Sequence, residues 1–592
     1  MTIETQSETG ARTPIDAFSA PAVQPAQEML PAPVSAITPA IPSALAERLL
    51  ILSDASLKNG AHLVAGPGSG KSRLLGRILV WQMLLRRKPQ VILDPTGGVV
   101  DNLLDKLSRL PLEYRKKLWP RLVYVNAGAT DFITPTPLYY RMSENDTLFE
   151  IANRPLAIFK RQDPQLESAP ILGWNSIYEC GIFAGQIAAA LERQIDFVAD
   201  LVRSPRNYKE DLKQVVSAHP ELQPAVSYFR EMMDPTSGEL RNRRTSSFLT
   251  KLLPLLADPP MRAAFAAPSR HIDWEAISRQ GQTLIIDFRH ERDPERRRFK
   301  LLYWFRNFID FVKYRGMAGR GEEVVFLIDE VTQLLGHRTL SGASIMAEDL
   351  EELVAVLGRN FGVNVVISHQ NLSQVDERIR NVFMQMGTQL IGVLPNPDDA
   401  ITVARYLASY DPHLIKKKEP VWMSLEYLDR KTYNTYMRPT VIDYRTVEFA
   451  VDEQIILAAQ QLQRLPNFRF LVRPAKSEGN LTGRLRHMSI ANVDRNQYPD
   501  ERQIAPVRRM LAQRDGIPLA TLLAELQNPV GDEETPPKPV KQKQASAILD
   551  PKLANPYGAR GNSDATTTAS VALPVAGPVM DDEATNEEGF WK

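Results

Sequence analysis

The sequence predicts an α/β protein in which a mainly parallel β-sheet is wrapped by helices. Short β-branched runs recur along the chain, and helical patterns separate most of them. A glycine-rich turn follows the first run, as expected where a strand leads into a helix. With 592 residues, of which 43% are hydrophobic and 24% charged, the chain has the length and composition of a globular protein with large cores.

Seven runs are predicted to form the strands of this sheet, because each is apolar and ends in a Gly, Asp or Ser/His turn. In an open α/β sheet, ligands bind at the carboxyl ends of the strands, so the turns after these runs are the first places to look for function. The predicted strands are His62–Val64, Val91–Leu93, Leu122–Val125, Thr283–Ile286, Val324–Ile328, Val363–Ile367 and Gln389–Val393.

The gap between the third and fourth predicted strands is too long for a single crossover, and its pattern is helical. Ile187, Leu191, Ile195, Val198 and Val202 recur at spacings of three and four, which predicts one apolar helix face. The chain is predicted to begin with a disordered Pro/Ala-rich segment at 1–42 and to end with a disordered tail at 531–592. Between them we predict a first part of the α/β core at 43–140, an inserted all-α domain at 141–275, a second part of the core at 276–475 and a partly helical extension at 476–530.

Charge and cysteine content set broad limits on function. The net charge is +1, so nothing in the overall balance marks a nucleic-acid binder, although a ring can concentrate positive charge in its pore. Cys180, the single cysteine, excludes an internal disulfide framework and is predicted to be a buried helix residue. Without a signal peptide or an apolar span, the chain is expected to be cytoplasmic, with partners recruiting it to the inner membrane.

The glycine-rich turn after the first strand has the sequence A-G-P-G-S-G-K-S, which is typical of a phosphate-binding loop. Its backbone N–H groups are predicted to cradle phosphates at the start of a helix. Lys71 is predicted to reach the β- and γ-phosphates, and the Ser72 hydroxyl to ligate Mg²⁺. The predicted nucleotide-binding residues are Ala65, Gly66, Pro67, Gly68, Ser69, Gly70, Lys71 and Ser72.

The second half of the predicted site is the apolar strand V-V-F-L-I, which ends in Asp329 and Glu330. A carboxylate at this position holds the metal with its water shell, and the next one orients or deprotonates an attacking water. We therefore predict that the chain binds ATP and Mg²⁺ and hydrolyses the nucleotide, with Asp329 at the metal and Glu330 as the catalytic base.

A third segment, G-R-N-F-G-V-N-V-V-I-S-H-Q, places Arg359 before a buried strand and Gln370 just past its end. In oligomeric ATPases, an arginine from a neighbouring subunit neutralises charge on the γ-phosphate, and a polar residue at a strand end senses that phosphate. Spacing alone leaves the alternative that Arg359 is an ordinary surface arginine.

Together these segments resemble the HerA/FtsK-type motor ATPases, and within them the type IV coupling proteins of bacterial conjugation (the TraG/TrwB group). The likeness runs from about residue 43 to residue 473, and its order of motifs is more specific than any single motif. The stretches that carry it beyond the phosphate loop are V-I-L-D-P-T-G-G (91–98), R-L-V-Y-V-N-A-G-A-T-D (121–131), R-T-S-S-F-L-T-K-L-L-P-L-L-A-D-P-P-M-R-A-A-F (244–265), Q-T-L-I-I-D-F (282–288) and I-S-H-Q-N-L-S-Q-V (367–375).

The resemblance implies a RecA-like P-loop ATPase core, a homo-hexameric ring, and single- or double-stranded DNA as the substrate that is moved. It makes Arg359 the candidate trans-acting finger and Gln370 the residue that couples the γ-phosphate to movement, with secretion-channel or relaxosome proteins as further partners. The chain departs from the family at Thr96, where many relatives carry a basic residue. It also begins with a proline-rich segment where coupling proteins have transmembrane helices, so we expect no membrane span.

The residues themselves leave the transported substrate open. Three basic patches are candidates for a DNA-lining surface: Arg241–Arg244, Arg296–Arg298 at a predicted helix start, and Lys416–Lys418 in a predicted loop. For Arg296–Arg298 a solvated mixed-charge face is the favoured interpretation, and Lys416–Lys418 fit surface solubilisers equally well. The alternatives to a DNA translocase are a secretion-type ATPase that energises protein transfer or pilus assembly, a HerA-like DNA-processing ATPase, and a nucleotide-gated scaffold without turnover.

Overall fold

The structure is a computed structural model. It describes residues 57–163, 174–234, 238–267, 272–317, 323–335, 345–407, 411–473, 486–489 and 498–527, all of which belong to one compact unit. The predicted disordered N-terminal segment (1–42) and tail (531–592) lie outside the described residues. None of the helices described is long and apolar enough to cross a membrane.

The strands are short where they lie in the main sheet and long only in one hairpin. They are β1 (Ala61–Val64), β2 (Gln90–Asp94), β3 (Leu122–Asn126), β4 (Phe132–Ile133), β5 (Thr283–Asp287), β6 (Val324–Ile328), β7 (Val363–His369), β8 (Thr388–Ile391), β9 (Ile415–Leu428), β10 (Thr435–Glu448), β11 (Arg469–Arg473), β12 (Arg486–Ser489) and β13 (Ile517–Pro518).

Among the described residues, the main sheet has nine strands in the order β12-β11-β8-β1-β7-β6-β2-β5-β3. From β8 to β3 every pair is parallel, and β11 and β12 extend the sheet antiparallel at the β8 edge. One strand, β7, lies between the strand before the glycine-rich loop and the strand that ends in Asp329. The predicted class, a mainly parallel sheet with a RecA-like core, is confirmed, and all seven predicted runs are strands.

Helices cover both faces of this sheet, as right-handed crossovers between parallel strands require. They are α1 (the consecutive segments Lys71–Arg73, Leu74–Val80 and Trp81–Leu85), α2 (Gly98–Ser108), α3 (Leu112–Leu118), α4 (Leu148–Gln162), α5 (Asn175–Ala190), α6 (Ile195–Arg203), α7 (Lys209–Ala218), α8 (Gln223–Glu231), α9 (Gly238–Leu256), α10 (Pro259–Ala266), α11 (Trp274–Gln280), α12 (Pro294–Met317), α13 (Thr332–Leu335), α14 (Ile345–Glu351, Glu352–Leu357 and Gly358–Asn360), α15 (Glu377–Gln385), α16 (Pro397–Leu407), α17 (Val451–Gln463), α18 (Glu501–Asp515) and α19 (Leu519–Gln527). Single 3₁₀ turns cover Trp119–Arg121, Pro205–Tyr208, Pro220–Leu222 and Leu372–Gln374.

The described residues between β4 and β5 contain helices α4 to α11, as the helical pattern predicts. Their buried side chains, such as Ile187 and Phe229, form one continuous apolar core with side chains of the sheet such as Ile286. The single helix predicted from Ile187 to Val202 is wrong, because the chain turns between α5 and α6. Glu192 has a φ of 53° in that turn, and Arg193 N–H donates to the Ala188 carbonyl (2.8 Å).

The basic patches do not have the surroundings predicted for them. The three arginines of 296–298 are half-buried, and each contacts the protein: Arg296 pairs with Asp258 (3.1 Å), Arg297 donates to the Glu291 carbonyl and Arg298 to the Arg161 carbonyl. The interpretation of this patch as a solvated face is therefore wrong. In the first patch, Arg244 stacks on Tyr228 and pairs with Glu231 (3.3 Å).

The third patch, Lys416–Lys418, lies in β9 and not in the predicted loop. β9 and β10 form an antiparallel hairpin, residues 415–448, which we call the arm. The sequence hides this strand because both of its faces are exposed, so no alternation of polar and apolar residues marks it.

Helix α18, near the end of the described residues, is attached to the sheet edge through a buried arginine. Arg508 is only 5% exposed and pairs with Asp101 of α2 and with Glu501 (2.8 Å), and its Nε lies 3.5 Å from Asp287 at the end of β5. Asp287 is fully buried, so the guanidinium compensates a carboxylate that would otherwise be costly to bury. The described part of the 476–530 extension is thus packed against the core.

Candidate active site

The glycine-rich loop begins where β1 ends and is held by the neighbouring strand connections. Gly66 N–H donates to the Val393 carbonyl (2.8 Å), and a Cβ at Gly66 would lie 2.6 Å from the Pro395 ring. The first hydrogen bond of α1 follows at once, from Leu74 N–H to the Gly70 carbonyl (3.0 Å). The loop therefore opens directly onto a helix N-terminus, which favours bound anions.

Position 70 requires a glycine, both because of its backbone conformation and because an aromatic ring lies close to it. Its φ is 95°, in the left-handed region, and a Cβ here would come within 2.4 Å of the Phe468 ring. Phe468 also donates its backbone N–H to the Ser69 carbonyl (2.8 Å), and Arg73 stacks between the Phe468 and Tyr498 rings. The segment after α17 thus packs directly on the loop, a contact that no local sequence signal predicts.

Two residues from separate predicted motifs, Lys71 and Gln370, contact the carboxylate of a third, Glu330. The Lys71 ammonium donates to Oε1 of Glu330, and Gln370 Nε2 donates to the same oxygen (2.8 Å). Lys71 and Glu330 are each less than a tenth exposed, so water screens their interaction only weakly. The structure therefore brings Lys71, Glu330 and Gln370 together.

Glu330 has an unusual backbone conformation, with a φ of 49°. Left-handed residues other than glycine are uncommon and cost of order 1 kcal/mol or more, so the surrounding contacts must hold this one in place. The Val331 N–H donates to the Ser368 carbonyl (3.0 Å), and the Glu330 carbonyl accepts from Gln333 N–H (2.9 Å). These bonds turn the chain after β6 and direct the carboxylate to the loop.

Asp329 has the donor set expected for a divalent metal. Its Oδ1 accepts from the Ser368 hydroxyl, whereas its fully buried Oδ2 has no hydrogen-bond partner among the described residues. The Ser72 hydroxyl lies beside the turn after β2, where a Cβ on Gly98 would approach it to 2.9 Å. No group of three or more His, Cys, Asp or Glu side chains suited to a metal occurs in the described ranges.

Two further buried aspartates end the two strands that follow β6 in the order of the sheet. Asp94 ends β2, is in register with Asp287 of β5, and lies next to β6 in the sheet. Burial, followed by the charges of Asp329 and Asp287, raises the pKa of Asp94 to about 7. Its oxygens accept from Thr96, Gly97 and Val100, so Asp94 organises the turn in which Thr96 stands.

A buried histidine pair lies directly beneath the loop. Gln389 Nε2 donates to the Phe383 (2.8 Å) and Met386 (3.0 Å) carbonyls, which turns its Oε1 toward His62 Nδ1 (2.6 Å). His62 must then donate from Nδ1 and accept at Nε2 from His369 Nε2 (2.7 Å). Burial lowers the pKa of His62 to about 4 and the pKa of His369 well below its usual value. Both rings therefore stay neutral in the folded protein.

This pair links the strand before the loop to the strand before Gln370, because His62 lies in β1 and His369 ends β7. Sequence reasoning missed this role for both residues. The signal was present: a histidine within the apolar run A-H-L-V and another in I-S-H-Q are polar residues at positions where the pattern predicts burial.

Arg359 is the predicted site residue whose side chain the structure does not describe. Its backbone belongs to the last segment of α14, Gly358–Asn360, just before β7. Phe361 N–H donates to the Leu357 carbonyl (2.9 Å), which ends the helix there. The role of Arg359 remains a prediction.

The known proteins to which this chain is similar were found through its structure. No family model matches the chain, and no curated protein does. Among solved structures, unbound TrwB, a bacterial conjugative coupling protein, is 14% identical over 75% of this chain and 87% of its own, with a TM-score of 0.41. TrwB in complex with ADP and Mg²⁺ is 13% identical over 76% and 88%, with a TM-score of 0.42. VirB4 of Thermoanaerobacter pseudethanolicus is 11% identical over 75% and 91%, with a TM-score of 0.38.

The chain is similar in structure to these proteins over three quarters of its length. The proteins to which this chain is similar in structure include a coupling protein, the group that its sequence resembles. At these identities and TM-scores the similarity assigns no residue role, so the roles rest on the geometry of this chain.

Replacing His62 by Gln is expected to reduce the acid sensitivity of the fold. Below its usual pKa of 6.5 the unfolded chain protonates His62, whereas the folded state keeps it neutral down to a pKa of about 4. The unfolded state then binds more protons, so the free energy of unfolding falls as the pH drops through this window. At about pH 5.5 the loss due to His62 is about 1 kcal/mol relative to about pH 7.5. Urea denaturation at the two pH values measures it.

The matched control is His413→Gln, which removes an exposed histidine and should lose as much stability as the unmodified protein. An equal loss of unfolding free energy in His62→Gln and the unmodified protein would contradict the neutral histidine pair.

Proposed function

We propose that this chain is an Mg²⁺-dependent ATPase that works as a ring motor and translocates DNA, with a homo-hexamer as the assembly. The observation that supports the ATPase part is that Lys71 and Gln370 both donate to the Glu330 carboxylate, beside the glycine-rich loop. An ammonium at a helix N-terminus, a buried carboxylate and an amide donor are the groups that phosphate binding and water activation need.

Each group has a defined task in hydrolysis. Lys71 binds the β- and γ-phosphates, which are oxyanions like the carboxylate to which it donates. Glu330 accepts the proton of the attacking water at its carboxylate, and Gln370 orients that carboxylate through its amide. Movement of the γ-phosphate changes the Lys71–Glu330 contact, and Gln370 passes this change to β7.

Asp329 and Ser72 are the residues that hold Mg²⁺ in this proposal. Bound Mg²⁺ neutralises charge on the phosphates during transfer. The Oδ2 atom of Asp329 is available to a metal-bound water, while the Ser368 hydroxyl holds Oδ1. The nucleotide itself lies along residues 65–72, where the loop meets α1.

Glu330→Gln is expected to lower ATP turnover by about 10²-fold or more, because the amide cannot accept a proton from water. Nucleotide binding should remain, since the loop and Lys71 are unchanged. Steady-state phosphate release and equilibrium binding of a fluorescent ATP analogue measure the two properties.

Glu377→Gln, an exposed glutamate at the start of α15, is the control and should keep full turnover. Lys71→Ala is expected to lose both turnover and binding. Turnover unchanged in Glu330→Gln would remove Glu330 from the mechanism.

Arg359→Ala is expected to abolish turnover while nucleotide affinity stays nearly intact, because in the ring this arginine completes the pocket of the neighbouring copy. Mixing Arg359→Ala protein with Glu330→Gln protein should restore part of the turnover, since some pockets then combine an intact base with an intact finger. Arg405→Ala, an exposed arginine of α16, is the control. Full turnover in Arg359→Ala contradicts the assignment.

DNA is expected to stimulate ATP turnover, and the stimulation should weaken as salt rises, because phosphate contacts release counterions. Turnover with and without single- and double-stranded DNA at about 50 and 200 mM salt measures the effect. ATP turnover that neither form of DNA changes at either salt concentration would favour the secretion-type ATPase instead.

A further inference from the structure

The arm is the least covered part of the described chain. β9 and β10 contain fourteen residues each, and the turn at 429–434 joins them. At about 3.4 Å per residue such a hairpin is about 48 Å long. Within the described residues its strands pair only with each other, so both outer edges carry free backbone N–H and C=O groups.

Large apolar side chains are exposed on both faces of the arm. Cross-strand register places Met423 opposite Thr440 on one face and Trp422 opposite Val441 on the other. Trp422 is 62% exposed, Met423 52% and Met437 67%. Every residue of both strands is exposed or half-buried, so neither face packs on the body of its own chain.

The arm is nevertheless held firmly at its root and at its tip. At the root, Gln454 of α17 donates to the Asp411 carbonyl (2.8 Å) and accepts from the Asp411 N–H (3.0 Å). At the tip, Asp429 accepts from the Lys431 N–H (2.9 Å) and the Thr432 hydroxyl (2.8 Å). The bonds at the root attach the hairpin to α17, and those at the tip close its turn.

An isolated hairpin is marginally stable in water, and exposed strand edges invite pairing. A two-stranded ribbon about 10 Å wide and about 48 Å long offers about 450–500 Å² on each face. One face is as large as the largest apolar patch on a typical monomeric protein, about 300–600 Å², and the arm has two such faces. Both faces together match the roughly 800 Å² that each partner contributes to a standard protein interface.

Charge argues against nucleic acid as the occupant of the arm. Lys416 pairs with Glu453 and Lys417 with Glu419 (2.5 Å), while Arg445 lies opposite Glu419 in the register. Nucleic-acid binding needs basic side chains directed at phosphates, whereas these three side chains at the root of the arm lie against carboxylates. The apolar, nearly charge-balanced ribbon suits a protein groove.

We propose that the arm docks in a groove of a neighbouring copy of this chain, head to tail. In a closed ring this contact lets each copy donate one arm and receive one, so that no arm remains exposed. A second body is needed because a projecting ribbon with two apolar faces has to be enclosed. The net charge of +1 means that copies do not repel one another.

The root of the arm connects this contact to the nucleotide loop. The arm leads into α17, which packs with α16 against the core around Val64, and the chain then reaches Phe468 on Gly70. A neighbour that holds the arm thereby contacts the element that covers the loop. The inference rests on the proposed ring for its geometry, and it deepens that proposal by naming the surface that closes the ring.

The test compares two double variants of the full-length protein by light scattering and sedimentation velocity, with and without Mg²⁺-ATP. Trp422→Lys with Met423→Lys places one charge on each face of the arm. Phe149→Lys with Leu253→Lys makes the same charge change at similarly exposed apolar residues of α4 and α9. The unmodified and the control proteins should have the mass of several chains, and the arm variant the mass of one chain with an unchanged circular dichroism spectrum.

A single-chain mass for the unmodified protein, or a multi-chain mass that the arm variant keeps, overturns the inference. Flotation with phosphatidylcholine vesicles that depends on the arm in a single-chain protein would make a lipid surface the occupant. Lys71→Ala, which removes nucleotide binding, should still assemble. Arm-dependent assembly without any ATP turnover would therefore sink the proposed function alone, and DNA-stimulated turnover in a multi-chain protein whose mass the arm variant keeps would sink this inference alone.

Discussion

The buried carboxylate of Glu330 is the point on which the site depends. It receives hydrogen bonds from the first turn of α1 through Lys71 and from the end of β7 through Gln370, so it connects the loop with two strands of the sheet. Its left-handed backbone is stable only because the turn after β6 is bonded to β7. A buried carboxylate without these partners would cost several kcal/mol, so sheet, loop and strand end must assemble together.

A layer of neutral or compensated polar groups supports this carboxylate from below. His62 and His369 tie β1 to β7, Ser368 holds Asp329, and Arg508 compensates Asp287 at the far end of the row. Each of these groups is buried and has a specific polar partner, which ties neighbouring elements of the core together. The loop is thus presented on a base that leaves the strand ends little freedom to shift.

Much of the core could be predicted because its signals are local. Val324–Ile328 is a β-branched run buried on both sides, and the loop glycines are dictated by the backbone that they adopt. The arm could not be predicted from Ile415–Leu428, because a strand exposed on both faces shows no alternation. The break after Ala190 was missed because the apolar residues on both sides of it are buried in the same core and so continue the helical spacing.

By itself, the sequence determined seven strands of the main sheet, the order of the motifs, the phosphate-type loop and the acidic strand end, because neighbouring residues and their spacing encode these features. Only the tertiary structure decided that Lys71 meets Glu330, 259 residues away, and that Gln370 joins them. It also decided that two histidines on separate strands share one hydrogen bond and that Phe468 covers Gly70. Such contacts depend on which strands become neighbours in the sheet, and that order follows from packing the whole chain.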